Sequence, residues 1–218
     1  MKMLICGIDE AGRGPVIGPL VMAGVLIEEK DEKKLRDIGV KDSKLLTPEI
    51  REKLFKKILT IAKNYKIISL TPDIIDETLK SDKTNLNILE AETTAEILNY
   101  LRPEKAIIDL PEKNPDRYQG YIKKNLKIKT ELITEHKADF NYPVVGAASI
   151  LAKVTRDRYI EFLKEKFGDF GSGYMSDEKT QKFLEKNWNN HKINFFRKEW
   201  VSWKNMKKEK TQKKLFDY

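Results

Sequence analysis

Two adjacent carboxylates set between a pair of apolar runs constrain this chain more than any other feature. Residues 5–19 read ICGIDEAGRGPVIGP. The first apolar run, Met3–Ile8, stops at Asp9 and Glu10. Ala11-Gly12-Arg13-Gly14-Pro15 follows, and a second apolar run extends from Val16 to Ile27. Short apolar runs bounded by glycine and proline signal strands, here two strands joined through a glycine-rich turn. Side chains alternate faces along a strand, so Asp9 and Glu10 converge on one site only where the strand ends. Neighbouring carboxylates repel each other and are costly to hold beside a buried sheet edge unless a cation lies between them. Gly12 and Gly14 let backbone amides approach a ligand closely or take positive φ, and Arg13 presents a fork that suits phosphate. Two readings fit the residue types: a polar strand terminus with its turn, or a metal-dependent phosphoester site.

Composition narrows the chemistry. A chain of 218 residues has room for one sizeable core and a small appendage. No apolar stretch reaches the roughly 18 residues of a membrane span, so no membrane association is expected. The start runs directly into strand pattern with no small-residue cleavage site, and no targeting segment is expected. Cys6 is the only cysteine, which rules out an internal disulfide and points to a reducing, cytoplasmic setting. Its place in an apolar strand reads as a core position. His136 and His191 are the only histidines, so a zinc site of nitrogen and sulfur ligands has too few donors. A catalytic metal would be held by oxygen, which means Mg²⁺ or Mn²⁺. Forty-two basic against 34 acidic residues give a net charge of +8, which favours a polyanionic partner. Nothing demands an oligomer, and a monomer is expected.

Along the chain, Glu28–Lys34 reads as a charged surface stretch leading to Lys41-Asp42-Ser43-Lys44. Thr47-Pro48 has the residue types of an N-cap and first helical position, and Leu54, Phe55, Ile58, Leu59 and Ala62 supply an apolar stripe. A strand is expected over 65–70, a short helix from Thr71-Pro72 to Leu79, and a stronger helix over 86–101. Ala106-Ile107-Ile108-Asp109-Leu110 reads as a short buried strand limited by Pro111. A helix over 115–124, a strand over 128–135 and a long helix over 143–166 complete the pattern. Strands separated by helices imply an α/β core with part of the sheet parallel. Glycines between 168 and 173 suggest a boundary, with residues 1–170 as one domain and 171–218 as a helical, basic C-terminal region.

Asp109 ends a buried strand as Asp9 does, and sites in parallel α/β sheets form at the carboxyl ends of strands. It reads either as a partner of Asp9 in one crevice or as a turn residue before Pro111. Asp139 precedes the long helix, where it either joins those acids or complements the helix dipole. Arg156 and Asp157 read as surface residues that pair with neighbours, and His136 as structural.

Three strings resemble the motifs of type 2 ribonuclease H, ribonuclease HII: DEAGRGP at residues 9–15, EHKADFNYPVVGAASILAKVTRDR at 135–158, and FGDFGSGYMSDEKT at 167–180. KDSK at 41–44 matches a shorter fourth motif, and the resemblance covers roughly residues 3–205, most like the archaeal branch. It implies the ribonuclease H-like α/β fold, a mixed five-stranded sheet flanked by helices with a helical C-terminal region. It further implies that Asp9, Glu10, Asp109 and Asp139 are catalytic and hold two Mg²⁺ or Mn²⁺ ions. The implied reaction is hydrolysis of the RNA strand of RNA–DNA hybrids and cleavage 5′ of ribonucleotides embedded in duplex DNA, leaving a 3′-hydroxyl and a 5′-phosphate. Gly12, Arg13 and Gly14 would read the 2′-hydroxyl, and Tyr174 would stack on the following sugar. Lys44 would contact a backbone phosphate, and Ser149 and Lys153 would line the nucleic-acid groove. The chain departs from the family at Met175, where proline is usual, and at Gly146, where alanine or serine is usual. Both departures would loosen their surroundings.

The basic end carries a separate signal. Gln212, Leu215 and Tyr218 lie at i, i+3 and i+6, which resembles a sliding-clamp-binding peptide with anchors for one helical turn. The competing function class is a non-catalytic nucleic-acid-binding protein of the same fold. Clustered negative charge argues against it, because a binder of polyanions gains nothing from carboxylates.

Overall fold

A computed structural model of the chain describes residues 3–40 and 46–216. Five strands form one sheet: β1 (Leu4–Ala11), β2 (Leu20–Glu28), β3 (Asn64–Leu70), β4 (Lys105–Asp109) and β5 (Glu131–Glu135). Their order is β3-β2-β1-β4-β5. β1 runs antiparallel to β2 and parallel to β4, and β4 runs parallel to β5. This is the mixed five-stranded sheet that the sequence implies. The short glycine-rich link permits the antiparallel pair, whereas each parallel pair needs a helical crossover. Those crossovers use α4 (Leu86–Leu101), which leads into β4, and α5 (Pro115–Asn125), which joins β4 to β5. β2 is buried along its whole length, which is why its sequence is continuously apolar rather than alternating.

The helices follow the local signals closely. α2 spans Pro48–Ile61, and the Thr47 hydroxyl accepts from the Ile50 amide at 3.4 Å. α3 spans Pro72–Lys80 behind Thr71. α6 (Ala138–Asn141) and α7 (Pro143–Phe167) follow β5, and α8 (Glu178–Asn187) and α9 (Val201–Phe216) complete the chain. Gly146 does not interrupt α7, since its amide bonds to the Tyr142 carbonyl at 3.0 Å.

Two elements differ from the sequence reading. The charged stretch after β2 is not simply a surface run: it continues into α1 (Glu32–Asp37), and Leu35 is fully buried. Glu28 and Asp31 are also buried. The Glu28 carboxylate is bridged by Lys30 at 2.9 Å and Lys63 at 2.8 Å. Strand β5 starts at Glu131 rather than Ile128. The chain ahead of it is tied to α4, with Asn99 donating to the Asn125 carbonyl at 2.9 Å and accepting from the Lys127 amide at 2.7 Å. A side chain 28 residues away leaves no mark on local periodicity.

The chain forms two compact units, both discontinuous in sequence. The first comprises Met1–Ala11, Val21–Ser69 and Leu86–Thr155; the second comprises Gly12–Leu20, Leu70–Asn85 and Arg156–Tyr218. The glycines between 168 and 173, where the sequence places a boundary, lie within the second unit. In the first unit α7 lies against one face of the sheet so closely that a Cβ on Gly7 would strike the Val144 backbone. Ile5, Val25, Ile107, Val144 and Leu151 belong to the core on that side. On the other face a Cβ on Gly24 would strike Ile97 and Leu101 of α4, beside the fully buried Cys6. The second unit has its own aromatic core. Phe195 and Phe196 pack at 5.4 Å between ring centres, Phe196 and Trp203 at 5.0 Å, and Val16, Ile17, Phe170 and Leu184 fill the cluster. Among the described residues no helix is long and apolar enough to cross a membrane.

Candidate active site

The parallel ladder between β1 and β4 ends at Ile8 opposite Ile108. Asp9 and Asp109 are the next residues on those neighbouring strands, and Asp109 is the last of β4. Asp9 is 4% exposed. Burial pushes its carboxyl up to about 7, and the Asp109 charge adds to that rise. The Ser149 hydroxyl, the Lys153 ammonium and the Glu10 amide oppose it. The Glu10 amide donates to Asp9 Oδ1 at 2.7 Å. Lys153 Nζ donates to Ser149 Oγ at 2.7 Å, one helical turn apart on α7. Ser149, expected to line a nucleic-acid groove, is fully buried, so its hydroxyl serves Asp9 from inside the protein. Lys153 is half-buried.

β5 delivers the remaining acid. After Glu135 the chain turns through Lys137, held in the left-handed region at φ 60°, into α6. The Ala138 amide donates to Asp109 Oδ1 at 2.9 Å, which ties the start of α6 to the end of β4. Asp139, the next residue, is buried at 5% exposure. Tyr142 supports the same corner by donating to Glu135 Oε2 at 2.9 Å. The His136 Nδ1 lies 3.2 Å from the Leu110 carbonyl oxygen.

Glu10 departs from the simple expectation. Strand β1 does not end at Asp9: Asp9 and Glu10 stay in register with Ala23 and Met22, and pairing with β2 continues to Ala11. Only the β4 side of the ladder has ended there. Among the described residues no three His, Cys, Asp or Glu side chains are already gathered into a metal cluster. The structure brings the Asp9 and Asp109 charges within reach of each other. Like-charged carboxylates in a buried setting resist closer approach until a cation offsets them. The donor set nevertheless fits a hard divalent ion: it is all oxygen, and it includes a desolvated carboxylate whose charge a cation would relieve.

The second unit holds the glycine turn. Gly12 takes φ 82°, a conformation that favours glycine, and a Cβ there would strike the Arg156 guanidinium. Gly14 is exposed, and a Cβ on it would touch the Tyr174 ring at 3.5 Å. Tyr174 is 39% exposed, and the Arg156 guanidinium carbon lies 5.6 Å from its ring centre. The loop carrying Tyr174 is pinned at several points. Val16 donates to the Gly173 carbonyl at 2.9 Å, Gly173 donates to Thr180 Oγ1 at 3.0 Å, and Ser172 donates to Asp177 Oδ2 at 2.7 Å. Met175 does not loosen it: the side chain packs against the aromatic core, and its carbonyl accepts from Gln181 at 2.6 Å.

Sequence reading missed two arginines. Arg156 is not a surface partner but is buried at 7% exposure, its guanidinium bonded to the Ile17 carbonyl at 3.4 Å. Burial pushes its guanidinium pKa down, against the pull of Tyr174 and Asp157. Arg197 is fully buried within the second unit. The only signal for it is a lone arginine inside the aromatic string Asn194-Phe195-Phe196-Arg197. Of the remaining candidates, Lys44 and Tyr218 lie outside the described residues. Gln212 is exposed on α9, and Leu215 falls next to that helix's last residue.

Comparison with known proteins points to one family over most of the chain. Residues 6–206 match the sequence model of the Ribonuclease HII family. A Ribonuclease HII of Pyrococcus horikoshii is 53% identical over 185 residues, spanning 84% of this chain and 82% of that protein. The crystal structure of ribonuclease H2 from Pyrococcus horikoshii superposes with a TM-score of 0.87 at 47% identity, covering 95% of this chain and 98% of that one. The structure of a PCNA:RNase HII complex from Archaeoglobus fulgidus superposes with a TM-score of 0.83 at 43% identity, covering 93% and 96%.

Proposed function

Because the chain belongs to the ribonuclease HII family, and is thus a metal-dependent ribonuclease H, we propose that it cleaves both continuous RNA–DNA hybrids and single ribonucleotides embedded in duplex DNA. The non-catalytic alternative falls away with the family assignment. Cleavage falls on the 5′ side of the ribonucleotide and leaves a 3′-hydroxyl and a 5′-phosphate. The observation that carries this reading is the Asp9–Asp109 pair at the carboxyl ends of adjacent parallel strands, with Asp9 desolvated and Asp109 close enough to raise its carboxyl further.

Asp9, Glu10, Asp109 and Asp139 would hold two Mg²⁺ or Mn²⁺ ions. Ions held there would supply Lewis-acid activation of water and charge stabilisation at the leaving 3′ oxygen. The chain's own residues do the rest. Ser149 and the Glu10 amide fix the Asp9 carboxylate by hydrogen bonds, and Lys153 offsets part of its charge. The Ala138 amide orients Asp109. The exposed backbone around Gly14 offers amides to a 2′-hydroxyl, the atom that distinguishes RNA from DNA at one nucleotide. Tyr174 presents its ring to the next sugar, and Lys44 supplies a cation to a phosphate.

The decisive experiment uses a labelled DNA duplex with one internal ribonucleotide, incubated with Mg²⁺, Mn²⁺ or EDTA. A metal-dependent cut immediately 5′ of the ribonucleotide is expected. Cleavage restricted to continuous hybrids would keep the carboxylate site and remove the roles given to Gly12, Arg13, Gly14 and Tyr174.

The enzyme is further proposed to act as a monomer and to dock on a sliding clamp through Gln212, Leu215 and Tyr218. Support comes from the spacing of those residues and from the Archaeoglobus fulgidus relative, which was solved in complex with PCNA. Deleting residues 212–218 should abolish co-elution with the clamp while leaving basal cleavage intact. Undiminished co-elution would sink the assignment.

A further inference from the structure

Arg197 has no part in the site as described so far, yet it is the largest fully buried side chain among the described residues. Its guanidinium donates to three backbone carbonyls of the stretch from Gly12 to Gly18. Nε bonds the Gly18 oxygen at 2.9 Å, Nη1 the Arg13 oxygen at 3.0 Å, and Nη2 the Gly12 oxygen at 2.6 Å. Trp200 lies over the same guanidinium at 4.8 Å and donates its indole N–H to the Gly14 carbonyl at 3.1 Å. Every carbonyl from Gly12 to Gly14 is therefore engaged by one arginine–tryptophan pair. The Arg197 amide completes the bracket by donating to the Val16 carbonyl at 2.9 Å.

We infer that Arg197, braced by Trp200, is a positioning residue that sets the discrimination between ribose and deoxyribose. A peptide unit is planar, so fixing the carbonyl of one residue fixes the direction of the next amide. Holding the carbonyls of Gly12, Arg13 and Gly14 inward turns the following amides, at Arg13 and Gly14, away from the arginine. These are the donors to which the proposed reading assigns the 2′-hydroxyl. Arginine suits the task because its rigid fork spans several oxygens at once and stays charged when buried. A lysine would reach one carbonyl and leave the others without their donor. The inference rests on the proposed reading of residues 12–14 as the ribose-reading turn.

The test measures affinity in EDTA for two otherwise identical duplexes, one with a single ribonucleotide and one all DNA. The ratio of the two dissociation constants is the readout, because loss of overall stability or charge would weaken both duplexes alike. Arg197→Lys is expected to lower the ratio about tenfold with all-DNA binding unchanged. Trp200→Phe keeps an aromatic ring beside the guanidinium and removes the indole donor, and is expected to lower the ratio about threefold. Thermal unfolding by circular dichroism establishes that each variant is folded. If Arg197→Lys does not fold, Trp200→Phe decides: a lowered ratio supports the inference and an unchanged ratio overturns it. Gly12→Ala separates the two levels. If it collapses the ratio while both other variants keep the wild-type value, the turn reads ribose and the positioning role is wrong. If Gly12→Ala keeps the wild-type ratio, the reading of residues 12–14 itself fails.

Discussion

Replacing Asp9 by asparagine should abolish cleavage and at the same time stabilise the metal-free protein. Burial and the neighbouring Asp109 hold the Asp9 carboxyl at about 7 in the folded state, against an ordinary value of 3.8. The ionised form is thus disfavoured on folding. The penalty is absent below pH 3.8, grows as pH rises towards 7, and is constant above it. At pH 7.5 its full value is about 4 kcal/mol, and at pH 5 about 2 kcal/mol. Asparagine has nearly the same shape, carries no charge, and keeps an oxygen for the Ser149 hydroxyl and the Glu10 amide. After relaxation around the buried charge, Asp9→Asn should gain about 2–4 kcal/mol at pH 7.5 and about half that at pH 5. Urea unfolding in EDTA at both values, with the slope m checked for constancy, measures the gain directly. Added Mg²⁺ should stabilise the wild type and leave the variant unmoved, because only the former gains a ligand in the folded state. A variant no more stable than wild type at pH 7.5, or equally stabilised at both pH values, would refute the claim that Asp9 is a desolvated carboxylate awaiting a cation.

Asp109→Asn should cut kcat/KM by at least about a hundredfold, since loss even of groups that merely orient metal ligands costs 10–100-fold; retained turnover in single-turnover kinetics would remove Asp109 from the metal set. Gly7→Ala should destabilise the fold by more than about 3 kcal/mol, because the new methyl meets the Val144 backbone of α7 rather than a side chain that can move aside. Chemical denaturation reads this, and a cost near zero would mean α7 does not lie tightly on the sheet. Tyr174→Phe should retain cleavage at a single ribonucleotide, whereas Tyr174→Ala should lower kcat/KM about 10- to 100-fold through loss of the stacking ring. Equal activities of the two variants would argue against a stacking role.

Much of this protein is legible in its sequence because its signals are local. The run from Leu4 to Ile8 and the run from Leu20 to Ile27 flank three glycines and two prolines that no strand or helix interior accommodates well, so the first two strands follow directly. Thr47-Pro48 and Thr71-Pro72 mark the starts of α2 and α3 for equally local reasons. The motif strings identify the family, and with it four candidate acids, before any coordinate is known. Other features depend on groups far apart in the chain. The length of β5 is set by Asn99 of α4, and the burial of Glu28 by the ammonium of Lys63. The state of Asp9 depends on Ser149, Lys153 and Asp109, at least 100 positions away. Arg197 looks like any lysine or arginine of the basic C-terminal region, yet it reaches back across 185 residues to the Gly12 carbonyl. Sequence alone determines which side chains are present and which short segments can be helix or strand. Whether a given charge is solvated or desolvated, and which backbone oxygen it meets, is decided only when distant segments pack, because Coulomb and hydrogen-bond energies depend on distance and burial rather than on position in the chain.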